Sequence, residues 1–150
     1  MTNIPAIYQG KLNTLDQIKV SPLSRAYTFS DSIYEVIPYF LGKPLCYKEH
    51  FDRMIQSSHL MGLDVDFDSV TKDIKELAAT LNNQDGYVYY QISRGVDMVR
   101  SHIYQDDLEI ERFGYAMPAS FPSSAISAML CDDDRWGRCN IKSTSLLGNV

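Results

Sequence analysis

The stretch Tyr87-Val88-Tyr89-Tyr90-Gln91-Ile92-Ser93-Arg94 decides the fold class. Val88, Tyr90 and Ile92 point one way and Tyr87, Tyr89, Gln91 and Ser93 the other, the period of two that a strand requires. Directly upstream the period changes. Phe67, Val70, Ile74, Leu77 and Leu81 recur at i, i+3, i+7, i+10 and i+14, which predicts a helix over Phe67–Leu81. Asp66 is its expected N-cap, and the polar run Asn82–Gly86 its stop. Phe51, Met54, Ile55 and Met61 keep helical spacing, so Lys48–Met61 is a second predicted helix, ended by Gly62.

Farther out the strand signals return. Ile33–Phe40 is rich in β-branched and aromatic residues and turns at Gly42-Lys43-Pro44 into Leu45-Cys46-Tyr47 as a hairpin. Pro38 has no N–H, which places its strand near an edge or at a bulge. Ala6–Tyr8 and Gln17–Val20 read as short strands about a turn at Gln9-Gly10-Lys11, and Ser21–Arg25 as a loop. Ser101–Tyr104, Glu109–Met117 and Ala125–Cys131 read as further strands. The sum is an α+β class: an antiparallel sheet with two flanking helices. Residues 1–117 form an N-terminal α+β domain. Residues 118–124 form a linker, and residues 125–150 the opening strands of a second, incomplete domain.

The 150 residues carry Lys+Arg 14 against Asp+Glu 19, a net charge of −5, with 45% hydrophobic residues. Such a composition excludes bulk disorder. The negative charge argues against nucleic acid and an anionic membrane as partners. Met1–Ala6 lacks the basic and apolar regions of a signal peptide, and no apolar run approaches the ~20 residues of a membrane helix. Cys46, Cys131 and Cys139 are odd in number and form no CxxC, which reads as buried, reduced thiols of a cytoplasmic protein.

Few residues suggest chemistry by spacing alone. Lys142 follows an alternation in which Cys139 and Ile141 face one way and Asn140 and Lys142 the other. At a strand end on a domain junction such a lysine can be desolvated and nucleophilic; the plainer reading is a solvated surface lysine. Arg94, Arg100 and His102 gather about Gly95, either as an anion-binding group or as scattered charges on an exposed hairpin. Asp132-Asp133-Asp134 lacks the Gly and distal Glu of a calcium loop and reads as a solvated turn. His50 and His59 lie on one helix without the i, i+4 spacing of a zinc pair, so no metal site is expected.

Four blocks, taken together, add what spacing does not. They are Phe29-Ser30-Asp31-Ser32-Ile33-Tyr34-Glu35-Val36; His50-Phe51-Asp52-Arg53-Met54; Tyr89-Tyr90-Gln91-Ile92-Ser93-Arg94-Gly95 with Arg100-Ser101-His102; and Arg135-Trp136-Gly137-Arg138-Cys139-Asn140-Ile141-Lys142-Ser143 continuing to Leu146-Leu147-Gly148-Asn149-Val150. In order and spacing they resemble the N-terminal half of the class IV pyridoxal-phosphate aminotransferases, most nearly the D-amino acid branch. The resemblance implies a homodimeric transaminase of the D-amino acid aminotransferase-like fold, acting on an amino acid and a 2-oxo acid.

Under that resemblance Lys142 is the catalytic residue that carries pyridoxal 5'-phosphate as a Schiff base and moves a proton at the substrate Cα. Arg53 binds the cofactor phosphate. Tyr34, Val36 and Pro38 share one face of their strand and line the substrate pocket with Tyr89 nearby. Arg100 and His102 hold the substrate carboxylate from the partner subunit. The acidic partner of the pyridine nitrogen and the helix N-terminus completing the phosphate cup fall beyond position 150, so these residues alone are expected to bind cofactor weakly.

The turn from Arg94 to His102 is one residue longer than the family pattern and lacks its proline. Ser30 and Ser32 stand in place of two glycines, and Pro38 replaces a residue that is usually not proline. Tyr34-Glu35-Val36 and Lys142-Ser143-Thr144-Ser145 differ from the aminodeoxychorismate lyase branch, which has F-[ET]-T and K-H-L-N there. That branch, the branched-chain aminotransferases and a non-catalytic module are the alternatives.

Overall fold

The computed structural model describes residues 3–121, 124–133 and 135–150. Its centre is a six-stranded antiparallel sheet in the order β2-β1-β6-β5-β3-β4. The strands are β1 (Pro5–Tyr8), β2 (Lys11–Thr14), β3 (Ser32–Phe40), β4 (Lys43–Pro44), β5 (Gly86–Ser93) and β6 (Glu111–Pro118). The helices are α1 (Arg25–Phe29), α2 (Tyr47–Met61) and α3 (Phe67–Ala79). The α+β expectation holds.

The alternation in β5 does what its period demands. Val88, Tyr90 and Ile92 are fully buried beside Ile33 and Ile37 of β3. Against this face lie Met54 of α2 and Val70, Ile74 and Leu77 of α3. Helix α2 sits against β3, and α3 against β1, β5 and β6. Asp66 caps α3 by accepting the amides of Asp68 and Ser69. Gly62 ends α2 at φ 62°, a left-handed C-cap that costs glycine little.

The other sheet face carries an aromatic row. Tyr89 stacks on Tyr34 (ring centroids 5.6 Å apart) and on Tyr115 (5.1 Å), with Phe113 and Tyr87 beside them. Pro38 pairs with Tyr87 of β5, and its carbonyl accepts from Leu45 N on the opposite side. N and O of a strand residue face the same way, so the missing donor points toward the sheet edge, where only two residues of β4 pair. This agrees with the edge reading of Pro38.

Several expectations give way. The partner of β1 is Lys11–Thr14; Gln17–Val20 is not strand, because a tight Gln9-Gly10 turn pairs the nearest residues first. Tyr47 begins α2, so the hairpin after β3 is shorter than read. The segment read as loop to Arg25 runs into α1. Ser101–Tyr104 and Ala125–Cys131 are not strands: no ladder among the described residues supplies them with partners. All three cysteines are exposed, not buried, since each sits at a helix cap, a turn or an irregular segment. Of the linker residues Pro122 and Ser123 lie outside the described set, as do Met1, Thr2 and Asp134. No helix among the described residues is long and apolar enough to cross a membrane.

Candidate active site

Residues far apart in the chain meet at the first half of β3. Segment 141–144 docks along it. Tyr34 N donates to Lys142 O (3.0 Å), Ser143 bridges Ile33, and Thr144 N donates to Ser32 O (3.0 Å). Ile141 enters the core, while Lys142 stays on the aromatic face with Nζ 4.2 Å from the Tyr34 ring centroid. The predicted alternation at these two residues is therefore present, although the segment is a turn and an isolated bridge rather than a strand.

Helix α2 brings the second cation. Arg53 binds the fully buried Glu35 with two prongs, Nε to Oε1 and Nη2 to Oε2, both 2.6 Å. His50 Nδ1 lies 2.7 Å from Glu35 Oε2. The carboxylate holds the Arg53 guanidinium protonated, above its already high range. Nη1 has no protein hydrogen bond among the described residues, and the side chain is 46% exposed. The guanidinium is thus oriented from behind and open in front.

A pocket of about 180 Å³ joins these groups. Its walls include Lys142, Arg53 and Tyr34, with Arg135, Trp136, Asn140, Ser145 and Asn149. The exposed Asp133 fixes Arg135 through its Nε and Nη2, both 2.8 Å away. That carboxylate is pulled down to about 2 by those bonds.

The structure does not bring every expected residue here. Val36 and Pro38 share the Tyr34 face opposite Tyr89 and Tyr87, as alternation predicts, but neither lines the pocket. Tyr89 contacts it through Tyr34; burial pushes its phenol well above the ordinary value, and its hydroxyl donates to Gln91 (2.7 Å). Arg100 and His102 lie elsewhere. Both pack on Phe29 of α1, Arg100 with its guanidinium 4.8 Å from the ring centroid and His102 with ring centroids 5.5 Å apart. Arg94 is no ligand candidate. It binds Asp31 with two prongs and donates to the carbonyls of Met61 and Gly62, and it stacks on Tyr104. Spacing left the roles of Glu35 and Ser57 unread. The signal for Ser57 was available: it lies four residues after Arg53, on the same helix face.

The likeness to solved structures shows the fold. The chain matches a 4-amino-4-deoxychorismate lyase from Pseudomonas aeruginosa with a TM-score of 0.67 at 17% identity, covering 78% of this chain and 41% of that one. It matches a branched-chain amino acid aminotransferase from Escherichia coli with a TM-score of 0.69 at 18% identity, covering 79% and 42%. This is the fold those enzymes share. Sequence narrows it. The family described as amino-transferase class IV matches residues 32–150. The chain is 33% identical over 150 residues to a D-alanine aminotransferase of Bacillus licheniformis, covering 96% of this chain and 53% of the relative. It is 36% identical over 134 residues to that of Listeria innocua, covering 84% and 46%. The chain therefore belongs to the class IV aminotransferase family, and it spans about half the length of these relatives.

Proposed function

We propose that this chain carries the attachment lysine and phosphate arginine of a pyridoxal-phosphate-dependent transaminase that moves an amino group between a D-amino acid, such as D-alanine, and a 2-oxo acid. The observation that supports it is the meeting of Lys142, Arg53 and Tyr34 on one pocket. The residues fit the cofactor. Arg53 presents an open guanidinium edge suited to a phosphate dianion, and Lys142 presents a primary amine on the same cavity. When bound, the cofactor supplies an aldehyde that condenses with amines and a pyridinium ring that accepts electrons.

The chain's own residues then divide the work. Glu35 and His50 orient Arg53, and Arg53 anchors the phosphate. Lys142 Nζ would hold the cofactor and, once freed, would take the proton from Cα of the donor amino acid in one half-reaction and deliver a proton to Cα of the amino acid formed from the 2-oxo acid in the other. Tyr34, backed by Tyr89, walls the substrate side, with Val36 and Pro38 farther along the same face. Arg100 and His102, held away from this pocket on Phe29, serve the pocket of a partner subunit in a homodimer. Residues 1–117 and 125–150 belong to two domains joined at 118–124, and the protein works in the cytoplasm.

Borohydride reduction of the complete protein with pyridoxal phosphate is expected to fix one cofactor mass on Lys142, and none in Lys142→Ala. A folded protein that takes up no cofactor removes the proposal. Product analysis with D-alanine, L-leucine and aminodeoxychorismate separates the family's reactions; turnover of the last alone makes the protein a lyase.

A further inference from the structure

Lys142 lies on a segment without helix or strand ladder, so individual hydrogen bonds must fix its backbone. On one side its N–H donates to Ser57 Oγ (3.2 Å). Two residues on, a directed chain of hydroxyls pins the other side: Ser32 Oγ lies 2.6 Å from Thr144 Oγ1, which donates to Ser30 O (3.2 Å). Gln91 Nε2 approaches Ser32 Oγ from β5 (3.4 Å). Ser57 is fully buried and stands one turn after Arg53 on α2, so the two share a helix face.

We propose that Ser57 is a positioning residue for Lys142. Through it α2 acts as a rigid spacer, setting the Lys142 amine at a fixed offset from the Arg53 guanidinium, with the Ser32–Thr144 pair closing the other side. This inference rests on the attachment role of Lys142 and adds how that role is aligned. A flexible four-carbon side chain can reach many points. Anchoring its backbone between Ser57 on the arginine's own helix and β3, where Tyr34 N holds the Lys142 carbonyl and Ser32 holds Thr144, makes a single cofactor length the favoured fit.

The test compares Ser57→Ala with Ser58→Ala in the complete protein. Ser58 is equally buried on the same helix, but among the described residues its hydroxyl bonds only to Ile55 O in that helix. Ser57→Ala is expected to slow borohydride trapping of pyridoxal phosphate on Lys142, and kcat, by about tenfold, the factor carried by one lost hydrogen bond of ~1.4 kcal/mol. KM for the amino acid stays within about twofold, and Ser58→Ala matches wild type. Equal behaviour of the two variants overturns the proposal. Amide hydrogen exchange supplies a readout free of the chemistry: exchange at Lys142 N–H rises in Ser57→Ala only, and an unchanged rate counts against the link. Lys142→Ala trapping cofactor at the wild-type rate refutes the attachment role, leaving the exchange result to decide the anchoring. If Ser57→Ala does not fold, Thr144→Val decides: slowed trapping supports the anchored segment, and wild-type trapping overturns it.

Discussion

Ser30 sits at φ 53°, in the left-handed region, as the C-cap of α1, at a position where the family pattern has glycine. A Cβ there is strained, while Ser30 O accepts the Thr144 hydroxyl, a bond that any residue at this position keeps. Ser30→Gly is expected to stabilise by about 0.5 kcal/mol, read as a higher urea midpoint. Gly95 is the opposite case. Its φ is 121°, and a Cβ would lie 2.2 Å from Glu109 O. Gly95→Ala is expected to cost about 3 kcal/mol or more in urea unfolding, since neither backbone can yield. Both positions appear in the motif blocks, but their backbone angles were not visible there. A glycine in a pattern states permission; only the φ value states need.

At the scale of elements, period was a sound guide wherever one face is buried. α2, α3, β3 and β5 lie within a few residues of their expected bounds because packing selects the face that the spacing already offers. Asp66→Ala removes the acceptor of two orphan amides at the start of α3, and thermal unfolding is expected about 3 °C lower. The Asp66 carboxyl is held below its ordinary value by the hydroxyl and amide of Ser69. Its cap contribution is therefore present above about pH 4 and lost as pH falls through the depressed value; helix content should be insensitive to this mutation in acid. Elements failed to be read where no period exists. β2 is exposed along most of its length, and α1 has five residues, too few for a face. Ala125–Cys131 has strand-like composition, but strand is a relation between chains of residues, and composition carries only half of it.

Across the whole molecule, six of the ten tyrosines are held above their ordinary titration, first of all by burial: Tyr8, Tyr39, Tyr47, Tyr89, Tyr90 and Tyr115. Tyr39 is pushed up to about 12. Neutral phenol is the folded form, so this stabilisation is complete below pH 10, the unfolded value, and lost as pH rises toward 12. The urea midpoint should be flat up to pH 10 and fall steeply above it, with tyrosinate absorbance rising in step with loss of structure. Buried ion networks divide the charges in the same global way. Arg25 and Arg94 share Asp31, and Asp73 in α3 accepts from Tyr90 at 2.6 Å beside Arg112. Arg25 and Arg94 are structural because they are enclosed, whereas Arg53 keeps an open edge.

By itself the sequence determined the two face-forming helices, the central strands, and the motif blocks in which Lys142 and Arg53 stand. Those are local properties: side-chain spacing sets a face, and a motif sets residue types. Tertiary structure alone decided that Arg94 is consumed by Asp31, that Glu35 turns Arg53 toward the pocket, and that Arg100 and His102 rest on Phe29. It also decided that the Lys142 amide finds a hydroxyl 85 positions away. Which donor meets which acceptor across such separations follows from how the helices and sheet pack, and no spacing along the chain encodes that distance.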